Sequence, residues 1–550
     1  SNAVRVFWGP LRQAGADTRA LLLNAAAQDL GVSASELTTD NGYIIVGDDR
    51  FPYGDFVTTA AQLAMPTETP LKSNASFKYI GNEFSRVDAL AKSTGAAEFG
   101  IDADIPGMVY AVVVRAPVAG ARVLSVDKTA AEAMPGVVAI VPVSSGIAVV
   151  ANAYWRAKNA AQVLEISWED IPLGQVSSAQ VRTDFEAALA EGDTVEASTQ
   201  GELVAGFDAA SSTLEADYFA PFLAHTPLEP VNATLHITDN SAELWTGVQS
   251  IQGAQGLVER LTGLPRSNIR VNNLYLGGGF GRRGTLTHIV EVTEIAMAID
   301  KPVQLLWSRE DDIRNGLYRP ASLMRIKAGV TTDGIVSAWD VQRAGGNITA
   351  DTLTNMLPAL LPSLPSSLLN GLSGFAEYLF SQWTVDPSSV EGLHETYDFE
   401  NHRIAHATVD HGLPLTFWRS VGHSYTAFAV ESMMDELADR AGIDPMSLRL
   451  ANTENKPRMH GVLQTAQAAM KSMTVPDGHH LGIAAHSSFA TDVAEIAEVS
   501  IENGEIRVHK VTCVADVGTA INPDIVRAQL EGAVMFGLTA TLYGRIDLDQ

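Results

Sequence analysis

The strongest local signal for chemistry is a glycine-rich loop, Gly277-Gly278-Gly279-Phe280-Gly281. Glycines allow a backbone to approach a ligand closely and to point its N–H groups at it. A helix is predicted to begin just after the loop, and its N-terminus would add a partial positive charge suited to a phosphate or an oxo group. The loop is not G-x-G-x-x-G and no Walker lysine follows, which disfavours ordinary nucleotide loops. A sharp strand-to-helix turn explains the same glycines equally well.

Two arginines, Arg282 and Arg283, follow the glycine loop directly. Guanidinium groups bind phosphate oxygens in a bidentate manner, so the pair would suit a pyrophosphate. The alternative is a solvated, charged turn with no ligand.

Two further stretches carry polar residues in apolar surroundings. The sequence from Phe417 to Ser424 places a cation, Arg419, between aromatic residues just before a predicted helix. Later, Gln529 and Glu531 lie on a helix that is otherwise apolar. Each stretch, taken singly, also fits a purely structural role.

The metal-binding residue types are sparse. His225, His423 and His486 lie far apart in the sequence, which disfavours a zinc or iron site held by protein ligands. The one cysteine, Cys513, cannot form an internal disulfide or hold an iron–sulfur cluster. An electron carrier of that kind would therefore belong to another chain. A G-x-S-x-G motif is absent, which disfavours an ordinary serine hydrolase.

Composition excludes several other classes. The 550 residues are 46% hydrophobic and 18% charged, as in a globular protein, and allow several domains. With 37 Lys and Arg against 64 Asp and Glu, the net charge is −27. Such a surface repels phosphate backbones, so we expect no nucleic-acid partner. No run of 18 apolar residues occurs, so we expect no transmembrane segment in this chain.

The elements that must position these residues can be predicted from local patterns. A strand over about 269–276 leads into the glycine loop, and a helix over about 286–299 follows it. An amphipathic helix over 427–441, ended by Gly442, follows the arginine motif. Tight hairpin turns are predicted at Asp40-Asn41-Gly42, Asp333-Gly334 and Asn503-Gly504.

One segment, residues 353–375, is apolar with interspersed Pro and Ser and shows no clean period. It is interpreted either as a surface insertion with a small cluster of its own or as a flap over a substrate funnel.

Seven stretches taken together resemble one family. They run in the family's order over nearly the whole chain and are Lys92–Phe99, Pro106–Met108, His225–Pro230, Trp245–Ser250, Gly277–Arg283, Phe417–Ser424 and Asp516–Gly532. The chain resembles the molybdenum hydroxylases, that is, the molybdopterin-binding large subunits of the xanthine dehydrogenase and aldehyde oxidase family. It is most similar to the isoquinoline 1-oxidoreductase and membrane-associated aldehyde dehydrogenase type.

The resemblance implies an α+β fold made of an a/b hammerhead domain and elongated molybdopterin-binding domains. Residues 1–78 would form a helical N-terminal segment and linker, and residues 79–172 the hammerhead domain. The first molybdopterin-binding domain would span 173–475, and part of a second would span 476–550.

The resemblance also implies a cofactor and partners. The cofactor would be molybdopterin cytosine dinucleotide with one Mo, and the pterin dithiolene rather than the protein would hold the metal. Electrons would pass to a small [2Fe-2S] subunit, and a cytochrome c is compatible as a further acceptor. The implied setting is bacterial, periplasmic or membrane-associated. The implied substrate is small, flat and uncharged, an aldehyde or an N-heteroaromatic ring.

Roles carry over from the family by position. Gln249 matches a glutamine that hydrogen-bonds an oxo ligand of Mo, and Arg419 matches an arginine that stabilises developing negative charge, so both are predicted to be catalytic. The predicted cofactor-binding residues are Gln249, Gly278, Gly279, Phe280, Gly281, Arg282, Arg419 and Gln529.

Two family motifs are not found. The Gly-Glu motif that carries the catalytic glutamate near the C-terminus in the family is not matched at the C-terminal end of this sequence, and the Met-Gly-Gln-Gly phosphate loop does not occur in it. The chain is therefore expected to be an internal fragment of a larger subunit, or one half of a split one, that by itself holds little molybdenum and turns nothing over. The alternatives are a non-catalytic scaffold of the same fold and, on the glycine loop alone, a plain nucleotide-binding protein.

Overall fold

The computed structural model describes residues 3–549, the side chains of residues 381 and 382 excepted. The chain divides into two compact units, residues 3–85 with 519–528 and residues 86–518 with 529–549. Helices hold 40% of the residues and strands 26%, which confirms the predicted α+β class. No helix of the described residues is long and apolar enough to cross a membrane.

The helices of the described residues are, in chain order, α1 (Ala3–Leu30), α2 (Val57–Ala60), α3 (Ala89–Thr94), α4 (Thr129–Glu132), α5 (Tyr154–Ala161), α6 (Ser178–Glu191), α7 (Leu203–Ala209), α8 (Ile251–Thr262), α9 (Thr287–Met297), α10 (Arg309–Arg314), α11 (Ile348–Leu360), α12 (Ser366–Gln382), α13 (Pro387–Val390), α14 (His423–Ala441), α15 (Pro445–Ala451), α16 (Pro457–Ser472) and α17 (Pro523–Tyr543).

The strands are β1 (Thr38–Asp40), β2 (Tyr43–Val46), β3 (Asp49–Pro52), β4 (Val109–Arg115), β5 (Val123–Asp127), β6 (Val137–Val143), β7 (Gly146–Ala151), β8 (Glu165–Trp168), β9 (Val195–Gln200), β10 (Ser212–Ala220), β11 (Asn232–Ile237), β12 (Ala242–Thr246), β13 (Ile269–Asn273), β14 (Val303–Leu306), β15 (Ser322–Val330), β16 (Val336–Gly345), β17 (His402–Thr408), β18 (His479–Ser488), β19 (Thr491–Glu502) and β20 (Glu505–Asp516).

The smaller unit is built on α1 and the three-stranded sheet β1-β2-β3. Leu22, Ala25 and Ala26 of α1 pack against Ile44 of β2 and against Phe56. The predicted turn at Asn41-Gly42 joins β1 to β2, and both residues have positive φ (45° and 82°), as a two-residue hairpin turn requires.

A seven-stranded sheet dominates the larger unit, in the order β13-β12-β11-β14-β4-β7-β6. Every residue of β7 is buried, because α8 and α9 cover one face of the sheet and α5 the other. Burial on both faces explains why β4 and β7 are uninterrupted apolar runs in the sequence.

This sheet joins two segments that the sequence divides. Strands β4, β6 and β7 come from the predicted hammerhead segment, residues 79–172, and β11 to β14 come from the segment that follows. The predicted domain boundaries stay predictions, but the first two segments share one sheet and one core.

Three smaller sheets complete the larger unit, and one of them is the two-stranded sheet β5-β8. The sheet β10-β15-β16-β17-β9 packs against the inner face of α14, including Val430, Met434 and Leu437. The sheet β18-β19-β20 packs against α16. The hairpin turns predicted at Asp333-Gly334 and Asn503-Gly504 join β15 to β16 and β19 to β20, as predicted.

The segment 353–375 lies in two helices, α11 and α12, and prolines hide their period in the sequence. Arg260 of α8 fixes the turn between them, donating to the carbonyl oxygens of Pro362 and Leu364. Ala359 belongs to the core of the seven-stranded sheet. The segment therefore also contacts the main core, and both interpretations, a surface insertion and a flap over a substrate funnel, stay predictions.

Candidate active site

The glycine loop connects β13 to α9, with a short 3-10 turn (Arg282–Gly284) between loop and helix. Helix α9 begins at Thr287, close to the start predicted near residue 286, and the turn separates its N-terminus from the loop. Its two ends are fixed by side chains: Gly277 N–H donates to Glu229 (2.8 Å) and Gly281 N–H donates to the Oε1 atom of Gln249 (3.2 Å).

Three amide N–H groups in the middle of the loop are free. Within the described chain, the N–H groups of Gly278, Gly279 and Phe280 have no hydrogen-bond acceptor. All three residues are half-buried. Successive unpaired N–H groups form a concave donor surface for an anion or an oxygen atom, which is the chemistry predicted for this loop.

Gly281 has to be a glycine for the loop to reach its neighbours. Its φ is +111°, and a Cβ atom there would collide with the carbonyl oxygen of Phe417. Phe280, with φ of 55°, occupies the left-handed region without being a glycine. Such backbone strain persists only where surrounding contacts impose it, and it is common at functional sites.

Gln249 lies just before the first residue of α8 and is exposed. Its backbone N–H donates to the carbonyl oxygen of Arg283 (3.0 Å), which fixes its position beside the loop. Because Gly281 donates to Oε1, the amide orientation is set and Nε2 remains a donor with no partner among the described residues.

The loop that carries Arg419 contacts the glycine loop directly. Arg419 N–H donates to the carbonyl oxygen of Phe280 (2.8 Å), and the ring of His225 contacts the carbonyl oxygen of Phe417 (Nε2 to O, 2.9 Å). Ser420 and Val421 have positive φ (73° and 54°), an uncommon conformation for a β-branched residue.

The guanidinium of Arg419 has no counter-ion. No carboxylate of the described residues lies within ion-pairing distance of it, and Nη2 reaches only the carbonyl oxygen of Gln529, at 3.5 Å. Burial lowers the pKa of Arg419 from its ordinary value, with no opposing carboxylate. A half-buried cation without a partner lowers the stability of the fold unless an anionic or electron-rich group binds to it.

An aromatic stack lies beside Arg419. The ring of Phe536, on α17, stacks on Phe280 (centroids 4.1 Å apart) and on Trp418 (4.7 Å). Phe536, Trp418 and Arg419 also border a cavity of about 740 Å³. Gln249 and the glycine loop do not border this cavity. They are linked to Arg419 by the stack of Phe280 on Phe536 and by the backbone hydrogen bond from Arg419 to Phe280.

The remaining predicted residues are placed differently. Arg282 and Arg283 are buried, so the alternative of a solvated turn is wrong. Arg282 donates to the carbonyl oxygen of Thr285 and lies over the Trp307 ring, and Arg283 pairs with Glu229 (2.8 Å). A phosphate-binding role for Arg282 stays a prediction that these contacts do not favour. The side chain of Gln529 is exposed, and its cofactor role also stays a prediction.

Comparisons with known proteins bear on this arrangement. Two family models, both described as molybdopterin cofactor-binding domain, match residues 188–354 with 376–453 and residues 426–550, together more than half of the chain. The chain belongs to the molybdopterin cofactor-binding family. It is an oxidoreductase subunit of this family.

Individual relatives agree with the family. The beta chain of isoquinoline 1-oxidoreductase from Brevundimonas diminuta is 29% identical over 98% of this chain and 73% of its own length. A nicotinate dehydrogenase chain from Pseudomonas putida is 27% identical over 100% of this chain and 47% of its own length. The solved aldehyde oxidoreductase of Desulfovibrio gigas shares the fold, with a TM-score of 0.58 and 20% identity over 83% of this chain and 54% of that one.

Some residues of this molybdopterin-binding protein escaped prediction. Glu229 fixes the glycine loop and Arg283 together, although its stretch was noted only as a family match. His423 and His486, far apart in sequence, lie with Nδ1 and Nε2 only 2.8 Å apart. No group of three or more potential metal ligands occurs among the described residues.

Proposed function

We propose that this chain is the large subunit of an enzyme that uses water to hydroxylate the carbon of an aldehyde or of an N-heteroaromatic ring. Electrons would pass to a small [2Fe-2S] subunit, with a cytochrome c as a further acceptor. The resemblance to the family supports molybdopterin cytosine dinucleotide with Mo as the cofactor and a bacterial periplasmic or membrane-associated setting.

The proposal depends on one observation. Hydrogen-bond donors without good acceptors lie where the glycine loop contacts the Arg419 loop. The N–H groups of residues 278–280 and the Nε2 atom of Gln249 have no acceptor among the described residues, and the guanidinium of Arg419 has only a long contact (3.5 Å) to the carbonyl oxygen of Gln529. Hydrogen bonds link the segments that hold these donors. For the half-buried N–H groups and for Arg419, a missing partner costs free energy, whereas the exposed Gln249 can donate to water. An oxygen-rich, anionic cofactor would satisfy these donors, so the residues fit the group.

In the proposed reaction the cofactor, when bound, accepts two electrons from the substrate. Gln249 would orient the cofactor, since its Nε2 donor is held in place by the contact from Gly281 to Oε1. Arg419 would stabilise negative charge that develops on the substrate heteroatom as water oxygen adds to the neighbouring carbon. A fixed cation in a half-buried site does this without reorganisation during the reaction.

The aromatic stack supports a flat, uncharged substrate. Phe536 shows that a planar six-membered ring fits against both Phe280 and Trp418. Stacked aromatic pairs prefer centroid separations of about 4.5–7 Å; the distance to Trp418 lies at the lower end of that range and the distance to Phe280 lies just below it. Isoquinoline, which the name of one similar protein contains, and an aromatic member of the aldehydes, which the name of another contains, meet this requirement.

The test is metal analysis and turnover of the holoenzyme purified with its small subunit. We expect close to one Mo per large subunit and oxidation of isoquinoline or an aromatic aldehyde, with oxygen from labelled water in the product. Oxidation of charged purines alone would contradict the substrate class. A well-folded complex that holds Mo without turnover would favour the scaffold alternative, and tight binding of NAD or ATP would favour the nucleotide-binding one.

A further inference from the structure

The pair His423–His486 belongs to a longer chain of polar groups behind the Arg419 loop. His423 Nε2 lies 3.7 Å from an Oε2 atom of Glu391, and His486 Nδ1 lies 3.4 Å from the hydroxyl of Thr396. The order is therefore Glu391, His423, His486, Thr396. Neither the predicted cofactor-binding residues nor the predicted catalytic residues include any of these four.

The hydrogen-bond partners are compatible with a chain that runs in one direction. The Thr396 hydroxyl accepts from the Ser487 N–H, and in this direction it donates its own proton to Nδ1 of His486. A neutral imidazole carries one N–H, so His486 then donates from Nε2 to Nδ1 of His423. The remaining proton of His423, on Nε2, points at Glu391.

The rings and the Glu391 end of the chain face different surroundings. His423 and His486 border the cavity of about 740 Å³ that Arg419 also borders. Thr396, which is buried, and Glu391 are not among the residues that border this cavity, and the Glu391 side chain is 27% exposed. The chain therefore leads from two rings at the cavity wall to a group that solvent can reach.

The packing around the chain is specific. Gly392 has φ of +90°, and a Cβ atom there would lie 2.6 Å from His423 Nδ1 and 2.8 Å from His486 Nε2. Glu391 Oε1 also accepts the N–H of Gly422, which ends the strained loop after Arg419.

We propose that Glu391, His423 and His486 form a proton relay that carries protons away from the Arg419 cavity. This inference rests on the proposed function. Hydroxylation of RH by water gives ROH, two electrons and two protons, and the electrons leave through the cofactor to the [2Fe-2S] partner. The protons need another path. A proton from the cavity that takes the place of the long Thr396 contact (3.4 Å) at His486 Nδ1 releases the proton on Nε2 to Nδ1 of His423, which in turn releases its Nε2 proton to the Glu391 carboxylate.

The charge environment agrees with this direction. Burial lowers the pKa of His486 to about 3 and also lowers that of His423, whereas burial raises the pKa of Glu391 to about 7. The charged groups that act on the chain are Glu395, near both His423 and Glu391, and Asp386, near Glu391. A proton is therefore held more tightly at Glu391 than on either ring. The 3.7 Å separation between His423 Nε2 and Glu391 Oε2 is longer than a hydrogen bond. Contacts of this kind commonly shorten when an enzyme binds its substrate.

The proton order can be read without turnover. In the full chain labelled with ¹⁵N-histidine, we expect both rings to be neutral Nε2–H tautomers at pH 7, with signals assigned by loss in His423→Gln and His486→Gln. Thr396→Val removes the donor to Nδ1 and should change the tautomer of His486. The stacked pair His479–His509, which does not border the cavity, is the control and should be unaffected. A His486 spectrum that is the same with and without the Thr396 hydroxyl would overturn the relay.

The kinetic arm uses Glu391→Gln in the holoenzyme, a variant of the same shape that still accepts the Gly422 N–H. We expect kcat of the wild type to rise with pH through about 7, where Glu391 becomes a carboxylate able to accept a proton. In the variant we expect this limb to vanish and kcat above pH 7 to fall about 10²-fold, with KM and Mo content retained, since positioned proton transfer contributes about 10²–10⁴-fold. His509→Gln is the matched control.

Equal kcat and an equal pH profile in wild type and Glu391→Gln would overturn the relay even if the substrate class is right. If the wild-type holoenzyme oxidises neither aldehydes nor N-heteroaromatics, the proposed function fails, and the tautomer measurement still decides the proton order.

Discussion

Two arginine regions on either side of the glycine loop show how the surroundings decide what the same side chain does. On one side, Arg282 and Arg283 are buried and held by protein groups, and Arg283 has a carboxylate partner in Glu229. On the other side, Arg419 is half-buried and has no carboxylate partner among the described residues.

The difference follows from electrostatics. A buried ion pair that is fully hydrogen-bonded holds its segments in place, and removing either partner leaves an uncompensated charge. An unpaired guanidinium at a cavity keeps its donors available for a ligand. In the sequence, all three arginines fit either a structural or a ligand-binding role, and their partners in the structure separate the two roles.

The largest expected effect comes from breaking the buried ion pair between Arg283 and Glu229. Glu229→Ala removes the partner of Arg283 and the acceptor for the Gly277 N–H. We expect the free energy of unfolding to fall by about 3–5 kcal/mol, as for other broken buried pairs. Chemical denaturation of the purified chain measures this. Asp217→Ala, which breaks the partly exposed pair with Arg325, is the control and should cost about 0–1 kcal/mol. Equal losses in both variants would contradict a stabilising role for the buried pair.

Arg419→Ala should behave in the opposite way. Losing one preorganised donor costs about 10²–10³ in rate, or about 3–4 kcal/mol of transition-state stabilisation. We expect that loss in turnover per bound Mo, with the melting temperature nearly unchanged. Arg419→Lys keeps the charge but not the planar fork and should recover only part of the rate. If Arg419→Ala instead lost stability and cofactor together while each Mo-loaded molecule turned over normally, the arginine would only support the packing of its loop.

Local features of the chain could be predicted from the sequence, but the partners of its charged and histidine side chains could not. The Asn-Gly and Asp-Gly hairpins and the strand before the glycine loop depend on neighbouring residues, and they were predicted correctly. The pairing of Arg283 with Glu229, and that of His423 with His486, join residues 54 and 63 positions apart. Such contacts arise from the packing of sheets and helices, which no local pattern encodes.

Gln249 should show an intermediate effect. It touches the glycine loop through Oε1 and leaves Nε2 free, so it orients the cofactor rather than taking up substrate charge. Loss of an orienting partner of this kind typically costs about 10–100-fold. Gln249→Ala should therefore lower turnover per Mo by less than Arg419→Ala does. A loss larger than that of Arg419→Ala would reverse the roles assigned to the two residues.

The smallest expected effect concerns Phe536, whose ring covers the aromatic surface beside Arg419. Its ring occupies the face of Trp418 and of Phe280 on which a flat substrate would stack. A stacked pair contributes about 0.5–1.5 kcal/mol beyond the buried area, so an aromatic substrate must displace a contact of that strength. Phe536→Ala should then lower KM for isoquinoline by about 2- to 10-fold, while KM for a small aliphatic aldehyde, which needs no stacking face, stays constant. Met535→Ala, an exposed position on the same helix, should change neither KM. If the substrate instead stacks on the Phe536 ring itself, KM for isoquinoline should rise in Phe536→Ala. The faces of Phe280 and Trp418 that this ring covers would then not be the binding site.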